Sequence, residues 1–449
     1  MVRFSADALN RFDVPALPMA CRWTTLVLAV LMVVGCAPAS SQPQIDVVAP
    51  QTLSLAEVTS RAKVAQALAH IEAHREAGLG ELIKLNETPA PPFGEAQRGV
   101  LFAKMLEGTG FGPVHTDEVG NVISVRRGGR GSGVVAVLAH LDTVFPADTD
   151  VRVKVDGNLY RAPGIGDNTR GLVLLLELAR AFVATELQTD SDIWLVGNVG
   201  EEGLGDLRGA RHLFREGAPP IDAMIAIDGG NAGRLVTDAV GSNRFRVTFG
   251  GPGGHSWGDF GLVSPHHALG TAIKLFVERA KPLVANGPRT SFNVGRIGGG
   301  TSVNSIAFES WMEVDMRSVD AGRLEALTQT FKTAMRETLS QQNESGGNDG
   351  VLTLELKPIG ERPAGGVDRS APLVQYAAAA LREVGIEPTF VASSTDANVP
   401  MSLGIPAVTM SRGGVSKRAH SLDESWEDRD THLATQAVLL TLVAVTSDF

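Results

Sequence analysis

From residue 134 onward, short unbroken apolar runs alternate with longer stretches whose apolar residues recur every three or four positions. The runs 134–139, 193–199, 223–227 and 407–410 are largely continuous in apolar character, the pattern of strands buried on both faces of a mostly parallel sheet. The stretches 171–183 and 373–384 have helical spacing, with Asn168 or Thr169 placed to cap the first of them. Residues 55–85 also carry helical spacing, and the cluster Pro89, Pro91, Pro92 ends it. Between about 242 and 359 the texture changes. There 245–249 alternates like a strand, 266–280 reads as a helix, 291–297 and 308–314 as strands, 324–339 as a helix and 352–356 as a strand. Residues 340–350 read as a polar, Gly-rich loop. That β-α-β-β-α-β order predicts a small ferredoxin-like α+β domain inserted into a larger α/β one.

At 449 residues the chain exceeds what one hydrophobic core usually supports, which agrees with two folded domains. The expected division is 50–241 and 361–449 for the α/β domain, with 242–360 inserted. Hydrophobic residues at 43% and charged residues at 20% fit a soluble globular body. A net charge of -10 argues against nucleic acid as a partner. Segment 1–44 stands apart. Arg22 precedes the apolar run 26–34, about half of the roughly 20 residues a membrane-spanning helix needs. Gly35-Cys36 follows, so the segment reads as an export signal, with Met19 a candidate start in place of Met1. Val33-Val34-Gly35-Cys36 resembles a bacterial lipobox, which implies a lipid anchor on Cys36 and residence in the periplasm or cell envelope. Cys21 and Cys36 are the two cysteines, so any metal in the folded body must be held by His, Asp and Glu.

Those residues gather at the ends of the predicted strands. His140 ends the first run, with Asp142 two residues on; Glu201 and Glu202 follow the second; Asp228 follows the third; His420 lies in the loop opened by the fourth. In open α/β sheets, sites form beyond the carboxyl ends of the strands, so these side chains are expected on one rim. Asp167 joins them from the loop before the helix at 171. Converging carboxylates repel by about 4 kcal/mol per pair at about 4 Å and an effective dielectric of about 20, which calls for a strong cation. Two His among them favour a transition metal over calcium or magnesium. Two ions bridged by Asp167 suit the ligand count, with zinc expected and cobalt or manganese as alternatives. Of the neighbours Glu201 and Glu202, one is expected to coordinate while the other takes the proton of an activated water. Asp142 is expected to hold the second nitrogen of His140.

His140-Leu-Asp142, Gly164-Ile-Gly-Asp167-Asn, Gly200-Glu-Glu202, Asp228-Gly and Ala419-His420-Ser resemble the metal motifs of the zinc peptidase/deacetylase family that includes carboxypeptidase G, acetylornithine deacetylase and peptidase T. The resemblance implies a dinuclear catalytic domain and a lid that often dimerises. It implies His140 and Asp228 on one metal, Glu202 and His420 on the other, Asp167 bridging, and Glu201 as general base. In the lid it implies that His255 stabilises the oxyanion, often in the partner subunit's site, and that Asn304 and Arg317 bind substrate polar groups. Asn168 and Thr169 depart from the Asp and Lys that many relatives carry there. Asp228 in place of Glu leans toward the aminopeptidase and dipeptidase branch, hence toward hydrolysis of short peptides. An N-acyl-amino-acid deacylase or carboxypeptidase is the alternative within this chemistry, and a non-catalytic binding lipoprotein the alternative outside it. His70 and His74 do not form the H-E-x-x-H zinc motif, and 250–254 lacks the Lys-Ser/Thr of a phosphate loop.

Overall fold

The structure is a computed structural model and describes residues 55–131, 133–345 and 350–447. The export and lipobox segment, with both cysteines, lies outside the described residues. Four strands, Asp192–Asn198, Val134–His140, Ala223–Ile227 and Ala407–Met410, lie side by side in that order and run parallel. Ala223–Ile227 and Ala407–Met410 are buried at every position, which is why their sequences lack polar alternation. The sheet is mixed beyond this parallel centre. Val122–Arg126 and Val114–Thr116 extend one side antiparallel, and Arg234–Ala239 pairs antiparallel with Ala407–Met410 on the other. Helices Gly171–Thr185, Pro372–Glu383 and Thr431–Val445 contribute to the main core. Thr431–Val445 is buried nearly all round, as a core helix should be.

A second sheet of four antiparallel strands, ordered Thr290–Gly299, Glu309–Ser318, Gly241–Gly250, Thr353–Arg362, is covered by helices Pro265–Val284 and Ala321–Ser345. Its order and connections are those of a ferredoxin-like unit, with a core of its own around Phe245, Phe276 and Phe331. The large mixed sheet and this smaller one correspond to the expected α/β domain and its inserted α+β unit.

Three local expectations are corrected. Residues 55–85 form three helices, Leu55–Thr59, Ala62–Ala73 and Leu79–Asn86, parted by turns at Ser60 and near Gly78. The polar stretch after Leu339 stays helical to Ser345, because Ser340 Oγ donates to Glu344 and Asn343 exchanges hydrogen bonds with Leu352. Neither Asn168 nor Thr169 caps the crossover helix: Asn168 Nδ2 donates to Ile227 O and Thr169 Oγ1 to Gly164 O.

Candidate metal centre

Every parallel strand hands polar residues to the same rim. His140 is the last residue of its strand, and Asp228 directly follows Ile227. Glu201 and Glu202 come after Gly200, whose φ of 67° turns the chain back over the sheet. His420 reaches the rim from the loop beyond Ala407–Met410, itself at a φ of 64°. Asp167 lies in the irregular turn Ile165–Arg170 that leads into Gly171–Thr185.

The five expected metal residues meet. Donor atoms of His140, Asp167 and Asp228 fall within 4.8 Å of one another, and so do those of Asp167, Glu202 and His420. Asp167 belongs to both groups. Its Oδ1 lies 3.3 Å from His140 Nε2 and its Oδ2 3.4 Å from His420 Nε2. His420 Nε2 also lies 2.8 Å from Glu202 Oε1. His140 is 1% exposed, and its Nε2, although close to Asp167 Oδ1, makes no well-aligned hydrogen bond while it faces this acidic rim. A buried imidazole nitrogen without such a bond is costly, and here it is aimed where a cation would take it up. Two His and two further carboxylates around one shared Asp therefore fit a pair of divalent ions.

The surrounding groups hold these donors rigidly. His140 Nδ1 lies 3.0 Å from the main-chain O of Asp142, while the Asp142 carboxylate is 3.6 Å away. The main-chain oxygen, then, fixes the imidazole. The Asp142 side chain instead accepts from the amides of Glu201 at 3.0 Å and Glu202 at 2.8 Å. Glu424 accepts from the amides of Gly164, Gly166 and Asp167, which shapes the turn around the shared carboxylate. Arg412 Nη1 donates to Asp167 Oδ1 at 2.9 Å and Asp228 Oδ1 at 3.1 Å. Burial favours a neutral Asp167, but Arg412 and the two imidazoles outweigh it and hold the carboxyl well below its usual range. Hydrogen bonds to Asp167 and Glu202 pull His420 up to about 10.

Glu201 is buried and accepts from Arg362 Nη1 at 3.0 Å; Arg362 Nη2 also donates to its main-chain O. Burial, helped by the adjacent Glu202, raises the Glu201 carboxyl well above its usual value despite Arg362. Asp396 nearby is pushed up to about 7 by burial. A cavity of about 690 Å³ opens over the rim, and its lining includes Asp167, Glu201, Glu202, Asp228 and His420.

The lid residues divide. Arg317 lines that cavity, although its Nε is also paired with Asp315 at 2.6 Å. His255 and Asn304 do not line it. They sit together where Gly254–His255 pairs with Ser305–Ile306, and Ser256 N donates to Asn304 O. Both are exposed. Sequence patterning did not single out Arg362, Arg412 or Glu424. Arg412 does follow a recognisable strand, so the strand-end rule extends to it; Arg362 and Glu424 carry no comparable local signal.

Fold and donor set together define a co-catalytic metallopeptidase. The chain belongs to the peptidase family M20/M25/M40, whose family model matches residues 136–444. It is 24% identical over 300 residues to the YqjE protein of Bacillus subtilis (strain 168), covering 66% of this chain and 76% of that one. Among solved structures it is similar to the aminopeptidase PepT from Bacillus cereus ATCC 10987, with a TM-score of 0.67, 22% identity, and 82% and 97% of the two chains covered. A tripeptidase from Staphylococcus aureus matches with a TM-score of 0.68, 21% identity, and coverage of 82% and 97%. A dinuclear metal-binding M20 peptidase from Bacillus subtilis matches with a TM-score of 0.62, 16% identity, and coverage of 83% and 99%. At these identities the structural likeness speaks for the fold.

Proposed function

We propose that this chain hydrolyses peptide bonds in short peptides at two divalent ions, zinc being the expected metal. One observation carries the reading: two donor triads share Asp167, each with its own imidazole. His140 and Asp228 would hold one ion, Glu202 and His420 the other, and Asp167 both. When bound, such ions polarise the scissile carbonyl and lower the pKa of a water toward about 7. The remaining work falls to the protein. Glu201 takes the nucleophile's proton and returns it to the leaving amine, with Arg362 fixing its orientation. Asp142 holds the amides of Glu201 and Glu202, so base and ligand keep their relative position. Arg317 binds the substrate carboxylate across the cavity, where a guanidinium fork suits a carboxylate.

The lid is proposed to form a homodimer in which the partner subunit's His255 and Asn304 complete each cavity. Trp257, Phe260 and Val303, flanking His255 and Asn304, are 88%, 89% and 103% exposed, an apolar surface that a partner would cover. We infer a lipid-anchored envelope protein from the apolar run 26–34 and the lipobox-like Val33-Val34-Gly35-Cys36. Among the described residues no helix is long and apolar enough to cross a membrane.

The test is Glu201→Gln in metal-loaded protein, assayed on dipeptides, tripeptides and N-acetyl amino acids. Metal content is expected to stay at the wild-type value while kcat falls by about 10²–10⁴. Undiminished turnover would refute the role of Glu201. Preference for N-acetyl amino acids over peptides would replace the peptidase reading with the deacylase one.

A further inference from the structure

Six arginines line the cavity: Arg234, Arg244, Arg317, Arg362, Arg412 and Arg418. Five of them have an acidic partner. Arg244 and Arg317 pair with Asp315, Arg362 with Glu201, Arg412 with Asp167 and Asp228, and Arg418 with Asp423. Among the described residues Arg234 has neither an ion pair nor a hydrogen bond from its side chain, and its Nε is buried without an acceptor. Leaving a guanidinium unpaired at a partly buried site is unfavourable, so the arrangement calls for an anion that arrives from outside.

Its placement is specific. Arg234 opens the strand Arg234–Ala239, just after the loop that carries Asp228. Gly229, beside Asp228, has a φ of 91°, and a Cβ there would meet Arg234 Cδ at 2.5 Å and Nε at 2.6 Å. The glycine thus leaves room for Arg234 to lie along the loop next to a metal-type ligand. Arg234 belongs to the catalytic sheet, whereas Arg317 belongs to the lid sheet. One cavity therefore carries two cationic anchors on different domains.

We propose that Arg234 is a specificity residue that binds an acidic side chain of the substrate, which makes short peptides containing Glu or Asp the preferred class. This rests on the peptidase reading, with the substrate's terminal carboxylate at Arg317 and its acidic side chain at Arg234.

The test compares Glu-Ala, Ala-Glu and their Gln isosteres on metal-loaded wild type, R234M and R234K. In the wild type, kcat/KM for at least one Glu peptide is expected to exceed its Gln isostere by about tenfold or more. R234M is expected to abolish that ratio, and R234K to restore part of it as a charge without the planar fork. Equal kcat/KM for Glu and Gln peptides in the wild type overturns the proposal and leaves the peptidase reading standing. Cleavage of no peptide at all refutes the peptidase reading. Calorimetric titration with N-acetylglutamate and N-acetylglutamine then decides on Arg234 independently. Tighter binding of the glutamate in the wild type and not in R234M supports the anion site; equal binding overturns it.

Discussion

Arg412 lies between two carboxylates, Asp167 and Asp228, that are also the proposed ligands of one ion. At 2% exposure its charge is useful only because those acids surround it, and theirs are tolerable partly because of it. Replacing one partner of such a buried group costs about 3–5 kcal/mol, since the remaining charges are left uncompensated. Arg412→Met is therefore expected to destabilise the chelated protein strongly. Bound divalent ions supply the missing positive charge, so they should recover most of that loss. The expected result is a larger rise in Tm on metal addition for R412M than for the wild type. Equal rises in thermal melts with and without chelator would show that Arg412 and the metals do not share the same charges. At this scale the donors were legible because His140 and Asp228 interrupt apolar runs at their carboxyl ends. The countercharges were less so: Arg362 meets Glu201 from 161 positions away, and nothing in either neighbourhood announces the pair.

Where the irregular turn Ile165–Arg170 meets the helix Gly171–Thr185, two requirements compete at Gly171. Its φ of -61° is ordinary helix, so propensity alone favours Gly171→Ala by roughly 0.5–1 kcal/mol. Space opposes it: a Cβ would fall 2.3 Å from Asn168 Oδ1. Asn168 cannot swing aside freely, because its Nδ2 is bonded to Ile227 O at 2.7 Å, one residue from Asp228. The clash is therefore passed to Asp167 and Asp228 together, and Gly171→Ala is expected to weaken metal binding by about 10–100-fold, the range seen when groups orienting the ligands are disturbed. A competition titration against a chelating dye measures this, and unchanged affinity with raised stability would show that the junction gives way without moving the ligands. Element boundaries were legible in proportion to burial. Ala223–Ile227 and Ala407–Met410 match their apolar runs residue for residue, since both faces of each are covered. Val114–Thr116 and Val122–Arg126 escaped notice because they are short and partly exposed, which leaves no distinct period.

The molecule as a whole separates its chemistry between two sheets, and the exposed ribbon of His255 and Asn304 does not line the cavity of its own chain. The ferredoxin-like order of the lid was readable from the alternation of strands and helices, but a residue's cavity cannot be read from its motif, because that depends on which copy of the chain it faces. If the proposed homodimer carries the partner subunit's His255 into each cavity, then Glu201→Gln and His255→Ala damage different halves of one site. Each variant alone should be nearly inactive. A mixed dimer holds one cavity with both an intact Glu201 and an intact His255, and another lacking both. Random reassortment of equal amounts makes about half the dimers mixed, so activity should recover to on the order of a quarter of wild type. Refolding or subunit exchange followed by a peptidase assay measures the recovery, with size-exclusion chromatography reporting the dimer. Two inactive parents that stay inactive after verified exchange would place His255 at the site of its own chain, with the lid closing within a single subunit, and an active His255→Ala parent would place it outside the reaction.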